Sequence, residues 1–278
     1  YADVFINTIK FSLFSIRACA LDDLTKLNIT VLQAYTLYRS YQEWYENFDG
    51  MSAVEVAYSV SLPEFDGIIH SCPVTTMERD AEGKQVTQDI AERMNMLVRK
   101  AKKLALLRIK PNAEKKIAIV FHNHPSTNSN IGSCSAIDSI ESVRLLLQDL
   151  RDAGYVVDHI PADRQEFIDE LIAGATNDRD YMSEKQIDNA DAKLLVSTYR
   201  DYYKTLPEKV QQRLGKDWGE APGEVFFYDD FLLVPGTMNG NIFITMQPPR
   251  GFGEDPDKIY HSPDCAPTHH YIGFYHWL

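Results

Sequence analysis

The densest run of chemically capable side chains is His122-Asn123-His124-Pro125-Ser126-Thr127-Asn128-Ser129-Asn130-Ile131-Gly132. Imidazoles bind metals or move protons near neutral pH, and amides hydrogen-bond carboxylates. The same run also reads as a polar turn whose Asn and Ser side chains satisfy their own backbone. A second concentration is His261-Ser262-Pro263-Asp264 with Pro267-Thr268-His269-His270-Tyr271 and His276, holding four of the chain's eight histidines. It contains no HExxH and no Cys/His quartet with structural zinc spacing, so a tightly held metal is not expected, whereas a transient metal path is allowed. Arg250 follows Gln247-Pro248-Pro249. It is placed either to fork onto a substrate carboxylate or to stand as a surface arginine. Asp138 and Glu141 are spaced as a helix capping box, with Glu141 still near the same edge. Glu64 and Asp66, within Pro63-Glu64-Phe65-Asp66-Gly67, read as an acid and base pair, as cation ligands, or as a tight turn. No GxxxxGK[ST] and no GxGxxG occurs, which argues against nucleotide hydrolysis by this chain.

The elements that must position these groups follow from periodicity. Lys115 to Phe121 reads as a buried strand running straight into the His122 loop, which extends to about Ile137. A loop of roughly fifteen residues exceeds the usual connection, and ligands in open α/β sheets sit outside the carboxyl ends of strands. A helix with Val143, Leu146, Leu147 and Leu150 on one face follows, stopped by Gly154. Tyr155 to Ile160 reads as the next strand, which gives a right-handed βαβ unit. Arg164 to Ala173 and Asp191 to Lys204 read as helices; Val225 to Tyr228, Phe231 to Val234 and Asn241 to Met246 as strands; and Tyr271 to Leu278 as the start of a helix. Upstream, Leu21 to Leu27 has helical spacing, Ile29 to Ala34 is strand-like, and Thr87 to Leu107 is a long amphipathic helix. The expected class is α/β. It comprises two Rossmann-like units, each a parallel sheet with helices on both faces, plus additional C-terminal elements. The boundary is placed at Pro111-Asn112. The first α/β domain, partial, covers 1–110; the second, truncated, covers 111–278 with its His/Pro-rich C-terminal segment.

Bulk properties narrow the partners. The 278 residues carry a formal net charge of −12. Such a surface repels phosphates, so nucleic-acid binding is not expected. Cys19, Cys72, Cys134 and Cys265 form no CxxC pair, so neither a zinc knuckle nor a disulfide framework is expected. No apolar run reaches the ~18 residues of a membrane span, and no signal peptide is visible, so a cytoplasmic location is expected. Both ends read as the interior of a longer protein.

Three stretches together carry a family resemblance. The first runs from Glu114-Lys115-Lys116-Ile117-Ala118-Ile119-Val120 through His122-Asn123, Asn128 and Asn130-Ile131-Gly132 to Asp138 and Glu141-Ser142-Val143. The second is Gln247-Pro248-Pro249-Arg250-Gly251, Ile259-Tyr260-His261-Ser262-Pro263-Asp264, Pro267-Thr268-His269-His270-Tyr271 and Trp277-Leu278. Leu62-Pro63-Glu64-Phe65-Asp66-Gly67 is the weaker third. In this order they resemble the CobN-like large, tetrapyrrole-binding (H-type) subunits of cobaltochelatase and magnesium chelatase. By comparison the chain is an internal fragment, ending before a Gly-Thr-His-Gly-containing stretch. It departs from the family at Cys134-Ser135, His124 and Cys265-Ala266.

The resemblance implies metal insertion into a tetrapyrrole, with cobalt and a corrin ring, in cobalamin biosynthesis, preferred over magnesium and protoporphyrin. ATP would be used by separate AAA+ ATPase subunits, no cofactor would be tightly bound, and the fragment alone would be inactive. His122, Glu141, His261 and His269 would serve metal passage or proton transfer, with His261 and His269 as transient metal ligands. Asn128, Asn130, Arg250 and Tyr271 would bind the macrocycle. Rival readings are a non-catalytic tetrapyrrole-binding or scaffold module and an unrelated small-molecule-binding α/β protein. The loop 122–137 and the segment 250–271 are expected to converge on one cleft.

Overall fold

A computed structural model describes residues 2–17, 20–47, 50–251 and 265–278. The chain divides into two compact units, Tyr1–Lys110 and Pro111–Leu278. Both are mixed α/β.

In the first unit, β1 (Val4–Asn7), β2 (Thr30–Thr36), β3 (His70–Arg79) and β4 (Gln85–Asp89) form one sheet in that order. β1 to β3 are mutually parallel and β4 returns antiparallel on β3. Parallel strands need crossovers, and α1 (Ala20–Leu27) supplies one between β1 and β2. α2 (Tyr41–Glu46) starts at a capping box, with the Ser40 hydroxyl accepting from the Glu43 amide. α3 (Ala91–Ile109) packs Leu97 against Leu32, Ala34 and Cys72 of the sheet. It begins at Ala91 rather than Thr87, because Thr87 and its neighbours pair with β3 instead. The Leu62–Glu64 stretch is helical. Its Asp66 is buried and accepts from the Ser12 hydroxyl (2.8 Å) and from the amides of Leu13 and Phe14. Asp66 therefore anchors a helical turn at Leu13–Ile16, while Glu64 is exposed.

The second unit is organised on β5 (Ile117–Phe121) and β10 (Ile242–Met246), which run parallel from Ile242 opposite Ile117 to Met246 opposite Phe121. All five residues of β10 are buried, as expected of an apolar strand covered on both faces. Its alternation sends Ile242 and Ile244 to one core and Phe243 to the other. On the first face lie α4 (Ser139–Asp152) and α5 (Arg164–Ala173), through Ile140, Leu147, Phe167 and Leu171. On the second face, Phe243 meets Leu194, Tyr199, Leu232 and Phe274. These come from β6 (Lys193–Leu195), α6 (Val196–Thr205), β8 (Phe231–Leu233) and α8 (His269–Trp277). Here α7 (Glu208–Trp218) lies between α6 and β7 (Phe227–Tyr228), and β9 (Thr237–Asn239) pairs antiparallel with β10. β6, β8 and β7 form a separate antiparallel sheet.

The sheets therefore differ from two Rossmann-like parallel sheets: each parallel core carries an antiparallel edge strand, and the third sheet has no parallel pair. Tyr155 to Ile160 is extended but joins no ladder among the described residues. The parallel neighbour of β5 is β10, more than a hundred residues later, and 155–160 is tied instead to the β9–β10 turn. Asp191 to Lys204 splits into β6 and α6, because Lys193–Leu195 pairs with β8. α8 starts at His269, two residues before the expected Tyr271, where the Thr268 side chain accepts from the Tyr271 amide.

Candidate functional site

Because β5 and β10 are parallel and in register, both chains leave the sheet at the same edge. His122 follows Phe121 directly and Gln247 follows Met246, and the Gln247 amide still donates to Phe121 O (2.8 Å). Beyond this point lies a cleft of about 490 Å³ lined by Val120, His122, Asn123, His124, Ser126 and, opposite, Gln247 to Arg250. Ligands in sheets of this kind bind at such an edge. Ser126 and Pro249 also line a smaller pocket of about 230 Å³, with Asn177, Asp178 and Arg179.

Buried polar groups hold the two lips together. Asn177, 2% exposed, has its Oδ1 2.5 Å from the Asn123 side-chain amide and donates its own Nδ2 to the Gln247 carbonyl (2.8 Å). Asp178, also buried, accepts from the Asn128 amide (2.8 Å), and Asn130 Nδ2 donates to Pro125 O (3.0 Å). Gly132 closes the loop: its amide donates to His122 O, and its φ of +73° lets the chain turn where a Cβ would sit 3.1 Å from Ile140 Cδ1. Asn128 and Asn130 thus shape the loop, and neither lines the cleft.

His122 is exposed, with Nδ1 3.0 Å from Ser133 O. A carbonyl can only accept, so in the neutral ring Nδ1 carries the proton and Nε2 keeps its lone pair. That backbone contact is the usual way of orienting an imidazole that acts as base or ligand. Across the cleft, the Arg250 guanidinium stands 5.7 Å from the Tyr271 ring centroid, within cation–π range. Gln247 is clamped by two tyrosines, donating to the Tyr271 hydroxyl (3.2 Å) and accepting from that of Tyr275 (3.1 Å).

Glu141 and His269 are not among the residues lining this cleft. Glu141 forms a bidentate pair with Arg144 Nε and Nη2 (2.8 Å each), which holds its carboxyl below the usual range. Asp138 accepts from the Glu141 amide, so it caps α4, but the reciprocal half of a capping box is missing because Glu141 is committed to Arg144. His269 is 2% exposed, with Nδ1 2.8 Å from the Tyr199 hydroxyl and Nε2 3.0 Å from Gly219 O. Nε2 therefore donates and Nδ1 accepts; both nitrogens are committed, and burial pushes the ring below its ordinary pKa. His261 lies outside the described residues.

Sequence reading missed Asn177, Asp178, Gln247 and Tyr275. Thr176-Asn177-Asp178 follows a helix as any polar loop does, and only the fold shows all three buried. His270, within the C-terminal histidine run, is also buried. Its Nε2 donates to Leu233 O (2.9 Å), its ring stacks on Phe226 at 4.3 Å, and burial pushes its pKa down to about 4.

A cleft at the carboxyl ends of parallel strands in a mixed α/β chain is the usual place for a small-molecule ligand. The chain belongs to the CobN/magnesium chelatase family, whose sequence profile matches residues 1–278. It is 31% identical to the aerobic cobaltochelatase subunit CobN of Pseudomonas aeruginosa, over 100% of this chain and 22% of that protein. It is 29% identical to the chloroplastic magnesium-chelatase subunit ChlH of Oryza sativa, over 92% of this chain and 18% of that protein. The catalytic subunit of cobaltochelatase from Mycobacterium tuberculosis superposes with a TM-score of 0.84 at 32% identity, covering 100% of this chain and 24% of that one. The chain thus spans about a fifth to a quarter of the length of these relatives. Among the described residues no helix is long and apolar enough to cross a membrane.

Proposed function

We propose that this chain forms part of the tetrapyrrole-binding large subunit of a metal chelatase, and that the cleft at the ends of β5 and β10 receives the macrocycle. The observation that carries this reading is the pairing of an oriented imidazole, His122, with a guanidinium, Arg250, on opposite lips of one cleft. Metal insertion requires the ring's pyrrole N–H protons to leave and a hydrated divalent cation to shed water. A neutral imidazole with a bare Nε2 accepts a proton or briefly holds the cation. Arg250 offers two parallel N–H donors to a ring carboxylate, and Tyr271 keeps the guanidinium in place.

In this reading Asn128 and Asn130 shape the loop, Glu141 pairs with Arg144 at the start of α4, and His269 secures the start of α8. His261 is retained as a second proton or metal carrier. The metal is a substrate, with cobalt into a corrin preferred and magnesium into protoporphyrin as the alternative. Nucleotide hydrolysis falls to separate AAA+ ATPase subunits in the cytoplasm.

The test is equilibrium titration of the full-length subunit with a carboxylate-bearing porphyrin and with a corrin, followed by absorbance. Arg250→Lys, which keeps the charge but loses the fork, should weaken binding roughly tenfold. Unchanged affinity in both Arg250→Lys and Arg250→Ala would overturn the placement of the ring in this cleft.

A further inference from the structure

The opposite end of the same sheet carries a second group of donors that the cleft does not use. His159, Glu166 and Glu170 are all exposed, and one donor atom from each lies within 4.8 Å of the others. Glu166 and Glu170 are one turn apart on α5, so their carboxylates leave the same face. His159 reaches them from the extended segment that precedes α5, with Nε2 2.9 Å from Glu170 Oε1.

The position of His159 is set by its backbone. Asn239, at the end of β9, accepts from the amides of Asp158 and His159 (2.9 Å each) and donates to His159 O (2.7 Å). The Asn241 amide donates to Val156 O, and at Gly240 a Cβ would stand 2.5 Å from that same oxygen. Val157 and Ile160 pack into the core on either side. The segment is thus pinned along its length, and the imidazole is delivered to α5 by a rigid frame. Glu166 is exposed and held nearby, one of its oxygens accepting from the Ala162 amide.

We propose that His159, Glu166 and Glu170 form a binding site for a divalent first-row transition metal, of the cobalt or zinc type. One imidazole and two carboxylates suit such ions, whereas magnesium favours oxygen ligands alone. Metal–donor bonds of about 2.0–2.2 Å bring neighbouring donors to roughly 3.0–3.5 Å of one another. At 2.9 Å the His159–Glu170 pair is already close to that spacing, and the exposed Glu166 gives up its Ala162 contact and rotates to close the remainder. Three protein ligands leave at least one position to water. On binding, the ion takes the place of the direct His159–Glu170 contact and ties the segment 155–160 to α5. Asn239 and Asn241 flank the amino ends of β10 and β5, so this site and the His122 cleft lie at opposite edges of the sheet.

The test is calorimetric titration of the 278-residue chain with Co²⁺ alone, on wild type, His159→Ala and Glu166→Gln/Glu170→Gln. His122→Ala serves as a control for the cleft. The proposal expects wild type and His122→Ala to share one Co²⁺ site whose affinity falls at least tenfold in both of the other variants. Circular dichroism should be unchanged, because all three side chains are exposed. A millimolar Mg²⁺ competitor should leave that site occupied by Co²⁺. Superimposable isotherms for wild type and His159→Ala would overturn the site, and equal competition by Mg²⁺ would overturn its transition-metal assignment.

Discussion

Replacing Asn177 with Ala probes the link between the two lips of the cleft. Asn177 and Asn123 are 2% and 3% exposed, so neither amide has ready access to water. The substitution removes the partner of the Asn123 side-chain amide and of the Gln247 carbonyl. Each unsatisfied buried group costs about 1–3 kcal/mol. Gln247 is only half-buried, and a water entering the vacated amide volume recovers part of the loss. The net destabilisation is therefore about 2–4 kcal/mol, or a Tm lower by roughly 6–12 °C for a unit of this size. Thermal unfolding read by circular dichroism checks it, alongside porphyrin titration of the full-length subunit. Because the same amide sets the separation of His122 and Arg250, ring affinity should fall too. A Tm within 2 °C of wild type, together with unchanged affinity, would refute the view that one buried amide fastens both lips.

Two further outcomes concern the second unit's core. His270 has a folded pKa of about 4 against 6.5 in a solvated histidine, so the unfolded chain binds more protons between those values. Stability should be fully present above pH about 6.5 and should decline as pH falls toward 4, by about 3 kcal/mol from this residue, with His269 adding in the same direction. In His270→Gln, urea unfolding at pH 5 and 7 should show a smaller difference than in wild type; an equal difference would place the titration elsewhere. Gly132→Ala puts a Cβ at positive φ and 3.1 Å from Ile140 Cδ1, and should cost about 1–2 kcal/mol by the same assay.

Much of this architecture is legible where local pattern and tertiary environment agree. Ile117–Phe121 and Ile242–Met246 are short apolar runs, and both are strands. Arg164–Ala173 is a helix with the expected bounds, because Asp163 caps it and Phe167 and Leu171 share its inner face. The loop after β5 stood out by its polarity and length, and it forms one lip of the cleft. Other features depend on partners that no local window contains. Tyr155–Ile160 has the composition of a strand but is held by the Asn239 side chain, and Lys193–Leu195 becomes a strand only because Phe231–Leu233 lies beside it. Histidines are harder still. His122 and His269 look equivalent in the sequence, yet one keeps an unused Nε2 at a cleft and the other spends both nitrogens on Tyr199 and Gly219.

The most direct measurement is the initial rate of metal insertion by the full-length subunit with its ATPase partners, for wild type and His122→Ala, beside the ring affinity of each. Proton acceptance at His122 predicts a rate at least about 100-fold lower, with ring affinity within about twofold of wild type and full activity retained in His159→Ala. A His122→Ala subunit that inserts metal at the wild-type rate would contradict the assignment of the chemistry to this cleft.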